Sequence, residues 1–186
     1  SIDAVKLAED PFAELGCNIS ETISCATVGL TWQANLLGFL IAFLGLIAFI
    51  RLSPSDPLVW HVDLAVEGFQ PPDKAQVFCI RPDNRYGPVI GDPAALLERL
   101  DAIALASPRT TRLAGSPEER WITWVSRSAL LGYPDYTTAQ VLGGPAVCIM
   151  GQQRFGSNDW GVNAARIGGW MQELLGLQEA PPMTGF

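Results

Sequence analysis

No charged residue lies between Glu21 and Arg51. Within this gap Trp32 to Leu52 reads WQANLLGFLIAFLGLIAFIRL, and from Leu36 to Ile50 eleven residues are Leu, Ile or Phe. About 20 predominantly apolar residues suffice to cross the hydrocarbon core of a bilayer. At roughly −0.3 to −0.6 kcal/mol each, these side chains favour insertion by several kcal/mol. Trp32 and Arg51 stand where interfacial anchors belong. The alternative is a buried helix of a soluble core. A signal peptide fits less well, because the run starts only at Trp32 and lacks a basic leader. The run therefore divides the chain into an N-terminal cysteine-containing segment (residues 1–31), a transmembrane helix (32–52) and a folded domain (53–186). Orientation is weakly specified, since Lys6 faces five acids on one side and Arg51 stands nearly alone on the other.

Composition removes several classes of function. Twelve Lys and Arg against 19 Asp and Glu give a net charge of −7, which argues against nucleic acid as a partner. Hydrophobic residues make up 48% of the chain, too many for disorder. One His and four scattered Cys leave no metal site and no disulfide scaffold to expect.

Ala34, Gly38 and Ala42 recur every four residues and line one side of the predicted span. Small residues at that spacing let another helix approach closely, so a second membrane protein is an expected partner beside the bilayer itself. The alternative is the ordinary abundance of Gly and Ala in spanning helices. Before the span, Cys17 and Cys25 stand among Ser, Thr and Asn. Paired, they would close a small loop worth about 2–3 kcal/mol, and otherwise they are two plain thiols.

After the span, Ser53-Pro54-Ser55-Asp56-Pro57 reads as a stiff linker. Trp60–Leu64 and Ala75–Ile80 read as extended segments. Asp92 caps a helix with Pro93 at its first position, and Leu96, Leu97, Leu100, Ile103 and Ala104 give it an apolar face. Strand-like runs follow at 110–115, 120–127, 135–142 and 146–155, with a hairpin signal at Gly143-Gly144. Ser157 or Asn158 is expected to cap a last helix, buried through Trp160, Ala164, Ile167, Met171 and Leu174 and closed by Gly176. Trp121, Trp124 and Trp170 fit core positions too, although an apolar groove for a lipid or isoprenoid is the alternative use of so many Trp. Cys79 and Cys148 read as buried thiols in apolar strands. The domain is thus expected to be α+β, an antiparallel sheet with helices packed on one face.

No catalytic constellation and no cofactor motif emerges. His61, the only histidine, has no nucleophile pattern beside it and reads as a packing residue. Asp159, Asn163 and Arg166 are spaced to share one stripe, and Arg127 and Arg154 come from strands near it. Such a cluster either holds a carboxylate or phosphate through charge-assisted bonds or forms a structural network.

Two resemblances refine this reading. Leu7-Ala8-Glu9-Asp10-Pro11, Cys17-Asn18-Ile19-Ser20, Ser24-Cys25-Ala26-Thr27-Val28 and Trp32-Gln33-Ala34-Asn35-Leu36-Leu37-Gly38-Phe39 resemble the bacterial vitamin K epoxide reductase family. The resemblance covers about residues 4–39. It implies that Cys17 and Cys25 lie in an extracytoplasmic loop that passes electrons between a redox partner and a membrane-embedded Cys-x-x-Cys that reduces a quinone. The chain has no Cys-x-x-Cys, and Leu40-Ile41 replace the Pro-Asn usual after Gly-Phe.

Residues 40–186 resemble DUF-1499, a bacterial and plastid family of domains of unknown function. The matching stretches are Leu52–Pro57 with Trp60-His61, Arg109-Thr110-Thr111 with Ala114-Gly115, Arg127 with Leu131–Tyr136, and Arg154–Asp159 with Gly161–Arg166. This resemblance implies an anchor helix before an intact domain and names no activity. Together the readings predict a single-pass membrane protein with its large domain outside the cytoplasm, acting as a non-catalytic accessory or binding subunit. A thiol–disulfide or quinone-linked redox protein and a lipid-binding domain are the alternatives. With one crossing, an outer cysteine loop and an outer domain conflict.

Overall fold

The computed structural model describes residues 25–87, 91–156, 159–179 and 181, with side chains from Thr31 onward. The chain forms two compact units, Ser1–Phe49 and Ile50–Phe186.

In the first unit the helix α1 (Cys25–Leu52) begins; its last turn belongs to the second unit. Its stretch Thr31–Leu52 is long and apolar enough to cross a membrane, about 33 Å at 1.5 Å per residue. A core helix would bury such a surface. Here Leu37, Phe39, Ile41 and Leu44 are all more than half exposed. Ala34, Gly38 and Ala42 are also exposed, and a methyl group added at Gly38 would meet nothing within 4 Å.

The second unit is α+β. The short helix α2 (Pro57–Trp60) is followed by β1 (Gln76–Ile80), α3 (Pro93–Ala106), β2 (Thr110–Ser116), β3 (Trp121–Arg127), β4 (Pro134–Val141), β5 (Val147–Gln153) and α4 (Val162–Leu175). The strands form one antiparallel sheet in the order β1-β5-β4-β3-β2. Strand side chains alternate between faces. Phe78, Ile80, Ile122, Trp124, Ala139 and Ile149 therefore point to one side, where Leu97 and Leu100 of α3 and Ile167 and Met171 of α4 cover them. The predicted class and its one-sided helices are what the structure has.

The opposite face is covered as well, by the one-turn helix α2 at Trp60 and the irregular strap that follows it. Leu64 packs on Val77, Cys79, Cys148 and Met150. Trp60 stacks on Tyr136 at 4.1 Å and His61 on Trp121 at 3.7 Å between ring centroids. The Leu64 N–H donates to Gln140 Oε1. This corrects the expected extended segment at Trp60–Leu64. Asp56 caps α2 by accepting from the Leu58 N–H, and the following residues lie across the sheet without pairing to an edge.

Cys79 and Cys148 are not separate thiols. They are direct partners in the β1–β5 register and are joined in a disulfide. Opposed residues on one face of an antiparallel pair bring their Cβ atoms within bridging reach.

Candidate functional site

The site is built at the end of the sheet where β3 and β5 finish and β2 and β4 begin. Three loops meet there: 107–109, 128–133 and one described at 154–156 and 159–161. The middle loop is held by its own bonds, since the Ser128 N–H donates to the Tyr133 carbonyl, and the Gly132 and Tyr133 N–H groups donate to the Ser128 carbonyl and Oγ. It is also tied from outside. The Arg51 guanidinium donates to the Leu130 carbonyl at 2.8 Å, and its stem lies under Gly132, where a Cβ would meet Arg51 Cγ at 2.9 Å. Gly132 has φ +75°, which itself favours glycine.

Two clefts open between these loops and share Ser128 and Val162 as a wall. The first, of about 330 Å³, is walled by Tyr133, Phe155 and Trp160, with Asp135 and Asp159 among them. Tyr133 and Phe155 meet edge-on at 6.0 Å. Trp160 is 88% exposed at φ +53°, which corrects its expected place in the buried face of the last helix. It precedes the helix instead of belonging to it. The second cleft, of about 530 Å³, is basic, with Arg109, Arg127 and Arg166 beside Ser107, Thr110, Ser126 and Ser128.

The stripe read from the sequence assembles in part. Arg166 donates to Asn163 Oδ1 at 2.6 Å and pairs with Asp135 at 3.1 Å. Asp159 lies outside the helix and serves as its cap: its two oxygens accept from the Gly161 and Asn163 N–H groups at 3.0 Å. The cap was expected at Ser157 or Asn158, both outside the described residues. The helix begins only at Val162, with Gly161 left-handed before it. Arg127 lines the basic cleft and donates to the Gly132 carbonyl. Arg154 stands apart from the stripe. It donates to the Pro54 carbonyl at 2.7 Å and lies over the rings of Trp60 and Phe155.

Asp135 and Arg109 stand in stretches that carry the family resemblance, but the sequence did not mark them as site residues. The signal for Asp135 was its alternation with Thr137 and Ala139, which turns it toward the helix face. Arg109 offered only its place at the head of the Arg109-Thr110-Thr111 stretch. Burial pushes the Asp135 carboxyl above its usual range, the Arg166 charge and hydrogen bond oppose this, and Asp159 adds to it. Asp159 is also desolvated, but the Gly161 and Asn163 bonds together outweigh that and hold it below the usual range. Cys17 lies outside the described residues, and so does the side chain of Cys25. No group of three or more His, Cys, Asp or Glu suited to a metal occurs among the described residues.

Geometry alone defines the class: an α+β domain behind a bilayer-length apolar helix, with a paired acidic–aromatic and basic cleft at one end of its sheet. The Vitamin K epoxide reductase family matches residues 1–53, which takes in the cysteine segment and α1 but not the sheet. Together with α1, that match marks the chain as a membrane protein. No curated protein and no solved structure matches the chain.

Proposed function

We propose that the chain is a membrane-anchored, non-catalytic binding subunit that works beside another membrane protein, with its domain at the bilayer surface. One observation carries this reading. Leu52, Leu130 and Trp160 are 80%, 82% and 88% exposed, on segments that the Arg51–Leu130 bond and the aromatic cleft join to the end of the apolar run. Exposed large apolar groups gathered where a span ends suit a headgroup layer, and Trp is favoured there. The Cys79–Cys148 disulfide supports a domain outside the cytoplasm, because such bonds persist in oxidising compartments. The DUF-1499 resemblance over residues 40–186 supports an anchor helix with a self-contained domain. Extraction in a mild detergent followed by size analysis is the test. The expected species carries a second protein or lipid, and a bare monomer contradicts the proposal.

The family match over residues 1–53 favours a second reading, in which Cys17 and Cys25 exchange electrons as a thiol–disulfide pair. Labelling of these thiols should then follow the redox poise, and Cys17→Ala or Cys25→Ala should alter electron transfer to a quinone. Labelling indifferent to reductant disposes of it.

A further inference from the structure

We propose that the two adjoining clefts form one binding site for a phosphate ester that carries an ammonium group, of the phosphocholine or phosphoethanolamine kind. This deepens the binding reading above by naming its ligand class. The argument is one of charge. In the basic cleft, Arg166 is offset by its pairing with Asp135. Arg109 and Arg127 bond only to backbone carbonyls, those of Arg127 and Gly132, and form no ion pair among the described residues. Two guanidinium charges are thus left facing a cleft lined with hydroxyls, an arrangement suited to a phosphate.

The first cleft has the opposite character. Among the described residues Asp159 meets only N–H groups and the Asn163 side chain, and none of these is a cation that would cancel its charge. Around it stand Tyr133, Phe155 and Trp160. Aromatic walls with a carboxylate attract a desolvated cation and suit a quaternary or primary ammonium. Arg154 already lies 5.0 Å from the Phe155 ring and Asp135 is paired with Arg166, so a ligand cation meets chiefly Tyr133 and the Asp159 carboxylate, with Trp160 along the same wall. An acyl chain fits this cleft poorly because of the Asp159 carboxylate, and a simple anion would use only the basic half. Opposite charges across the wall of Ser128 and Val162 match a short zwitterion.

The test uses the full chain in a neutral sugar detergent, titrated calorimetrically with phosphocholine, choline and inorganic phosphate. Phosphocholine should bind about tenfold or more tightly than either fragment. Arg127→Gln, or Arg109→Gln should the first variant fold poorly, should weaken phosphocholine and phosphate about tenfold and leave choline unchanged. Trp160→Ser, at an exposed position, should weaken phosphocholine and choline and leave phosphate unchanged. This crossed pattern is one that a general folding defect does not produce. Phosphocholine binding no tighter than phosphate, or variants that weaken all three probes alike or none, overturns the proposal. A short-chain phosphatidylcholine that binds tighter than phosphocholine assigns the ester to a lipid headgroup, and equal binding assigns it to a soluble ester; both support the site. Failure here leaves the size of the detergent-extracted species untouched, so the two proposals fall separately.

Discussion

Asp101 shows how much one buried carboxylate holds in this domain. It is 6% exposed, accepts from Trp124 Nε1 at 2.8 Å and pairs with Arg112. Asp101→Ala leaves a buried indole N–H without its acceptor and should cost about 2–3 kcal/mol, read from urea unfolding. Thr137 presents the reverse case. Its hydroxyl is buried without a hydrogen-bond partner, so Thr137→Val should be neutral or stabilise by up to about 1–2 kcal/mol in the same measurement. His61 sets a pH dependence. Burial lowers its pKa below the ordinary 6.5, with Glu119 and Asp63 opposing, while Trp121 stacks on the ring and Thr123 bonds Nδ1. The unfolded chain then binds more protons, so the stability from His61 is present above 6.5 and lost as pH falls from there through the folded value. Stability measured across this range should fall in the native protein relative to His61→Phe, and parallel profiles would refute the assignment.

At the scale of elements, α3 announces itself locally. Asp92 accepts from the Ala94 N–H at 3.1 Å, and Asp92→Ala should lower stability by about 1 kcal/mol in thermal unfolding. That helix was legible because its cap, its Pro93 and its apolar period lie within one stretch of chain. The strands were legible for the same reason, each to within two residues of its ends, with the largest difference at the tail of β5. The strap was not. Trp60–Leu64 has the look of a strand, yet its rings find Tyr136 and Trp121 across a sheet that only the complete fold provides. Trp160 has the helical period but sits one residue before a left-handed glycine, so the period does not decide its burial. The disulfide needed the β1–β5 register, and the clefts needed three loops from distant parts of the chain. Arg166 and Asn163 were readable as neighbours on one helix, whereas Asp135 and Arg109 become part of the site only through tertiary packing.

Across the whole molecule, the edge strand β1 is held to the sheet by one neighbour and one covalent bond. The disulfide closes a loop with a sequence separation of 69 residues. Replacing both Cys79 and Cys148 by Ala should lower stability by about 2–4 kcal/mol, visible as a fall in Tm. Reducing agent should lower the Tm of the native protein and leave that of the double variant unmoved. The boundary between the two units falls after Phe49, inside a continuous helix, so Ile50, Arg51 and Leu52 go with the domain. Ile50 is 3% exposed. A protease that clips the Pro-rich stretch at residues 53–57 would therefore shed a fragment already missing part of its own floor, with the 128–133 loop deprived of its outer brace. Release from the membrane by that route and retention of an intact ligand site exclude one another.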